Sequence, residues 1–160
     1  MIEKYNNLFQ NYKDFITSNT SYEARVVKSY TNTSTYFPII SFQLSNIIDT
    51  DECTIDMIEK HKELYITIDI YTKDETINNS KIASQVINDE LTSLTLKYLE
   101  YKNLKVTLCN LTPNADTNIT RRTIQCQGLV RVDRGNIIRR WNKWIVLKIE
   151  HYLNIEVLPF

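Results

Sequence analysis

The chain has 160 residues, of which 42% are hydrophobic and 24% charged, with 19 acidic and 19 basic side chains. Those are the values of one ordinary folded domain, and they exclude a disordered tail and give no support to bulk attraction to nucleic acid or to a membrane. Two glycines exclude a glycine-rich phosphate loop, and three cysteines without paired spacing (Cys53, Cys109 and Cys126) speak against a disulfide framework or a zinc site.

Along the chain, Ile2, Tyr5, Leu8, Phe9, Tyr12, Phe15 and Ile16 recur at steps of three and four, which predicts an amphipathic helix over residues 2–17. The first fifteen residues mix charges with aromatics and contain no continuous apolar run. The expectation is therefore neither a signal peptide nor a membrane span, and assembly inside a cell. Residues 22–28 read as a short strand. A second strand opens at Tyr36-Phe37-Pro38, with Ile40, Phe42 and Leu44 on one face.

Residues 46–62 read as an acidic connection between strands. Glu52, Asp56 and Glu59 lack a ligand pattern containing histidine, so no metal is expected there, and His61 reads as an exposed surface side chain. The clearest strand is Leu64–Thr72, in which Leu64, Ile66, Ile68 and Ile70 alternate with Tyr65, Thr67, Asp69 and Tyr71. A polar turn over residues 73–79 follows. Ser80 then reads as the cap of a long helix whose buried stripe is Ile82, Val86, Leu91, Leu94 and Tyr98. Leu104, Val106 and Leu108 begin the next strand.

Residues 113–140 hold six of the seven arginines: Arg121, Arg122, Arg131, Arg134, Arg139 and Arg140. Within them Ile124, Cys126, Gly128, Val130 and Val132 alternate with Thr123, Gln125, Gln127, Arg131 and Asp133, giving a strand with one packing face and one wet, basic face. Asp133-Arg134-Gly135-Asn136 reads as a turn or bulge. For residues 141–160, with Trp141 and Trp144, a helix followed by an extended tail is favoured over two short strands, docked on the domain or on a partner.

Charge is asymmetric although the total is zero. Residues 47–75 carry nine acids against three lysines, and residues 119–148 carry eight bases against Asp133. Opposed runs suit self-association through complementary faces, binding of an external polyanion, or simply two solvated surfaces. No nucleophile elbow, histidine motif or carboxylate pair marks an active site, so no enzyme and no cofactor is expected. The arginines with Trp141 and Trp144 combine cations and stacking rings, so a nucleic-acid-binding module stands as the alternative class.

The order is an N-terminal helix, a Pro-led strand, the strand LYITIDIYT, one helix of about twenty residues, a strand, the turn PNADTNITRR and the strand GLVRVDRGNIIRR. It resembles that of the bacteriophage tail-terminator (tail-completion, head–tail joining) family over residues 2–140. The resemblance implies an α/β (α+β) fold over residues 1–140, with a mostly antiparallel sheet of four to five strands, the N-terminal helix and one long central helix; residues 141–160 are then an extension.

It further implies a structural virion protein, assembled in the bacterial host cytoplasm. Such a protein forms a ring, usually a hexamer, on the head-proximal end of the tail tube, stops tube polymerisation and meets the neck or connector. A sheath is a further candidate neighbour of the extension, and another neck adaptor on a similar fold is a close alternative. No catalytic, cofactor or metal residues carry over. The expected interface pairs the basic set Arg121, Arg122, Arg131, Arg134, Arg139 and Arg140 with the acidic set Asp49, Asp51, Glu52 and Asp56 on a neighbouring subunit. The arginines could instead line the lumen and contact DNA non-specifically.

Overall fold

The side chains that recur at helical spacing near the N-terminus form the first element, α1 (Ile2–Asn19), in the computed structural model, which describes residues 2–29, 36–53, 59–77, 80–113 and 118–133. In chain order there follow β1 (Arg25–Val27), β2 (Ile39–Cys53), β3 (Glu59–Thr72), β4 (Glu75–Ile77), β5 (Ser80–Ile82), α2 (Ser84–Tyr101), β6 (Lys105–Thr112) and β7 (Thr120–Asp133). The fold is α+β. A five-stranded sheet has the order β1-β2-β3-β7-β6, and β4 and β5 form a separate two-stranded ladder. β1 runs parallel to β2, whereas β6 and β7 are antiparallel, so the sheet is mixed.

The chain divides into two compact units, residues 1–48 with 63–129, and residues 49–62 with 130–160. In the first, both helices lie on one face of the sheet. The evidence is a single buried cluster that joins Tyr5, Tyr12 and Ile16 of α1 and Ile87, Leu91, Tyr98 and Leu99 of α2 to Ile40, Phe42, Ile66, Ile68, Ile70, Ile124 and Cys126. Every strand residue in that last group has even parity, as a period of two requires. Each such isoleucine or leucine contributes on the order of 1.5–3 kcal/mol by leaving water. In the second unit the described residues are the strand ends, 49–53, 59–62 and 130–133.

Phe42 is the hub of the aromatic packing, with ring centroids 4.8 Å from Tyr12 and 6.1 Å from both Tyr5 and Phe9. Among the described residues no buried hydroxyl lacks a partner. Tyr5 donates to the Phe42 carbonyl at 2.8 Å, Tyr98 donates to the Leu8 carbonyl at 3.1 Å, and Tyr12 shares a 2.8 Å bond with Thr95. Burial is the leading cause of raised pKa values at three acids of this core: Tyr12 is shifted up, and Tyr98 and Cys126 are both pushed up to about 12.

A proton held more tightly by the folded state stabilises that state below the unfolded pKa, and the contribution is lost as pH rises through the folded value. From the ordinary values of 9.0 for the thiol and 10.0 for the phenols, stability should hold flat up to pH 9 and fall steeply towards pH 12. Urea midpoints measured at one-unit steps across that range would check this. A flat profile would show that burial of these groups is not maintained.

Several elements depart from the sequence reading. The acidic stretch 46–62 is strand at both ends, in β2 to Cys53 and in β3 from Glu59, where a connection was expected. His61 is half-buried instead of exposed. Ser80 does not cap the long helix, because it belongs to the β4–β5 ladder; Ala83 is the N-cap residue, and it makes no side-chain cap bond. That start sets the helical phase so that Ile87 is buried and Val86 is 57% exposed.

The alternation Leu104, Val106, Leu108 is broken by a bulge. Val106 pairs with Cys126 and Leu108 with Gln125, which leaves Thr107 as the extra residue. Cys109 then takes the core position, opposite Ile124. At the end of α2, Asn103 adopts φ 54°, the left-handed position at which a helix reverses. At Gly128 a Cβ would lie 2.2 Å from Leu104 Cδ2, so a larger residue there requires the Leu104 side chain to move.

Candidate functional site

β7 carries the arginines that the sequence singles out, and its pleat separates the first two of them. Arg121 and Thr123 point to the face away from the helices, whereas Arg122 shares the helix-side face with Ile124 and Cys126. The sequence reading placed both on one basic surface.

On the outer face, Arg121 donates from Nε and Nη2 to Asp69 Oδ1 of β3, at 3.2 and 3.1 Å. Its guanidinium carbon stands 5.4 Å from the ring centroid of Tyr71, an electrostatic contact that also shields the ring from water. Thr123 donates to the same carboxylate oxygen at 2.5 Å, and Thr112 of β6 donates to the Thr123 hydroxyl at 2.8 Å. A polar chain thus runs from β6 through β7 to β3. Asp69 is only 6% exposed, and this chain supplies donors in place of water.

On the inner face, Arg122 Nε donates to Asn88 Oδ1 at 3.1 Å and Nη2 to Asp89 Oδ1 at 2.5 Å. Asn88 is fully buried on α2. Its amide donates to the Ile70 carbonyl at 3.2 Å and to Thr72 Oγ1 at 3.3 Å, and its oxygen also accepts from Thr92 at 3.4 Å. Arg122 and Asn88 together fasten α2 to β3 and β7.

Asp69, Asn88 and Thr123 were missed as site residues. Their signals were present: Asp69 is the one charge inside LYITIDIYT, and Asn88, Thr92 and Thr95 lie at helical spacing among apolar residues.

Arg121 and Arg122 are therefore each engaged by two hydrogen bonds inside the subunit. Arg131 lies in β7, and Asp49, Asp51 and Glu52 lie in β2; their side chains, and Asp56, Arg134, Arg139, Arg140, Trp141 and Trp144, fall outside the described residues, as do residues 134–136 of the expected turn and the boundary at 140. Parts of the acidic and basic runs, residues 49–62 and 130–148, belong to the same compact unit. Residues 49–62 hold five acids and two lysines, and residues 130–160 hold six bases and three acids, so their formal charges of −3 and +3 balance. Their complementarity is thus available within one subunit as well as between two.

The outer face also bears a depression of about 420 Å³ with Ser45, Tyr65, Thr67, Thr107 and Gln125 on its lining. Ser45 and Thr67 share a 2.6 Å hydroxyl bond, and Tyr65 donates to Glu63. Ile48, Ile66 and Cys126 belong to the same lining, which has no charged side chains and in which these hydroxyls and amides stand among apolar groups. Among the described residues no group of three or more His, Cys, Asp or Glu is arranged to hold a metal, and no helix is long and apolar enough to cross a membrane. In comparisons with known proteins, neither a family model nor a curated sequence matches the chain.

Proposed function

We propose that this protein is a structural virion component of the tail-terminator type, a ring that closes the head-proximal end of a tail tube and meets the neck. The order of elements carries the proposal: α1, the Pro-led β2, the LYITIDIYT strand in β3, one eighteen-residue helix, then the antiparallel pair β6 and β7. In support, both helices cover one face of the sheet, and among the described residues no helix covers the other. The hexamer, the tube and neck partners and the virion location all belong to this proposal.

Ring assembly needs heterologous contacts between unlike faces of successive subunits. The nucleic-acid reading is weaker than the sequence suggests, because Arg121 and Arg122 are engaged by Asp69, Asn88 and Asp89.

Mass photometry of the purified chain, alone and with isolated tail tubes, tests the proposal. A ring-sized species, or decoration of one tube end in electron micrographs, is the expected result. A chain that never joins tubes, and instead binds DNA with a steep salt dependence, would favour the other class.

A further inference from the structure

A groove of about 610 Å³ runs between α1 and the last turns of α2. Its floor is aromatic, with the rings of Phe15 and Tyr98 5.3 Å apart. Tyr101 rises from its α2 rim at 76% exposure, higher than any other large hydrophobic side chain described. Exposed tyrosine beside an apolar recess is the residue type that interfaces use as an anchor.

The two rims have opposite charge. On α1 the rim carries Asp14, whose Oδ1 accepts from Gln10 at 2.8 Å. On α2 it carries Lys97 and Lys102, and the Lys102 ammonium stands 4.7 Å from the Tyr101 ring centroid and 5.7 Å from that of Tyr98. A partner of uniform charge would meet repulsion at one rim or the other. A copy of the same groove related by a two-fold axis along the groove meets none, because that axis exchanges the rims and pairs residue i with j and j with i. Asp14 of each copy then faces Lys97 and Lys102 of the other, and each Tyr101 can enter the opposite aromatic recess.

We propose that the α1–α2 groove is an isologous contact surface for a second copy of this chain. The inference is independent of the tail-terminator reading. A ring closes through unlike faces, so this contact would instead join two subunits, or two rings, back to back.

The full chain should be followed by sedimentation equilibrium over a concentration series at low and at physiological salt, with thermal melts to confirm that each variant is folded. The wild type is expected to form a two-fold species that weakens with salt. Asp14→Lys leaves both rims positive, and Lys97→Asp with Lys102→Asp leaves both negative, so either change should weaken self-association at least tenfold. Mixing the two variants should restore association at one to one. Tyr101→Ser, which leaves the charges alone, should weaken it as well.

A wild type that stays monomeric or forms only rings, variants that associate like the wild type, or a mixture that does not associate would each overturn the proposal. Rings that stay paired back to back in every variant would do so while leaving the tail-terminator reading intact. Loss of the two-fold species while variants still cap tubes supports both.

Discussion

Replacing Phe42 with alanine should destabilise the protein by about 3–5 kcal/mol, the range for removing a buried aromatic side chain from a core that cannot close around the space. Phe42 is fully buried on the helix-side face of β2 and makes ring contacts with three residues of α1. Its loss removes apolar transfer energy and three ring–ring contacts together. Collapse is hindered because the neighbouring rings are held elsewhere: the Tyr12 hydroxyl is tied to Thr95, and the Tyr5 hydroxyl to the carbonyl of residue 42 itself.

Urea denaturation followed by circular dichroism would measure the loss as a lower midpoint at unchanged slope. Val86→Ala provides the control, since Val86 is exposed on α2 and its change should stay within about 0.5 kcal/mol of zero. A loss at Phe42 below about 1 kcal/mol would mean that the aromatic rings repack and that α1 is not held by this cluster.

Those two sites also show what the sequence could convey. The Phe42 face was legible because β2 and β3 place apolar side chains at a strict period of two, and Ile40, Phe42, Ile66, Ile68 and Ile70 are all buried as that pattern requires. α1 was legible for the same reason at a helical period. Val86 was misread because the stripe on α2 was traced through apolar residues alone. Three of the buried positions are Asn88, Thr92 and Thr95; Asn88 and Thr95 take partners from β3 and α1 that only the tertiary structure supplies, and the Thr92 hydroxyl donates back to Asn88 one turn earlier.

The acidic ends of β2 and β3 were hidden by composition. Asp and Glu are depleted in strands, yet a neighbouring strand can hold such a segment in the ladder whatever its own propensity. A bulge is equally silent, so the shift at Thr107 that exchanges Leu108 for Cys109 had no local cue. At the candidate site, the strand and its arginines could be read directly. The partners that engage Arg121 and Arg122 lie 52 and 34 residues away or thereabouts, on β3 and α2, and no local pattern connects them.

The second large effect is expected at Asn88. Asn88→Leu should cost about 2–4 kcal/mol, against roughly 1–2 kcal/mol for Arg122→Ala, although leucine is close in size and more apolar. Asn88 is fully buried between α2 and the sheet, where its amide donates to Ile70 and Thr72 and its oxygen accepts from Arg122 and Thr92. Leucine satisfies none of these groups and leaves the Arg122 Nε–H without its acceptor in a half-buried position, with only the outer bond to Asp89 retained.

Because the two residues share that bond, their losses should not add. The double variant is expected to fall short of the sum by at least about 0.5 kcal/mol in a denaturation cycle. Strict additivity would show that Arg122 is held by Asp89 alone, and a neutral Asn88→Leu would show that apolar packing can replace the network, as it does at some buried ion pairs. The expected coupling instead makes Arg122 part of the clamp between α2 and β7. It follows that Arg122→Ala should lower stability before it alters any interaction with another molecule.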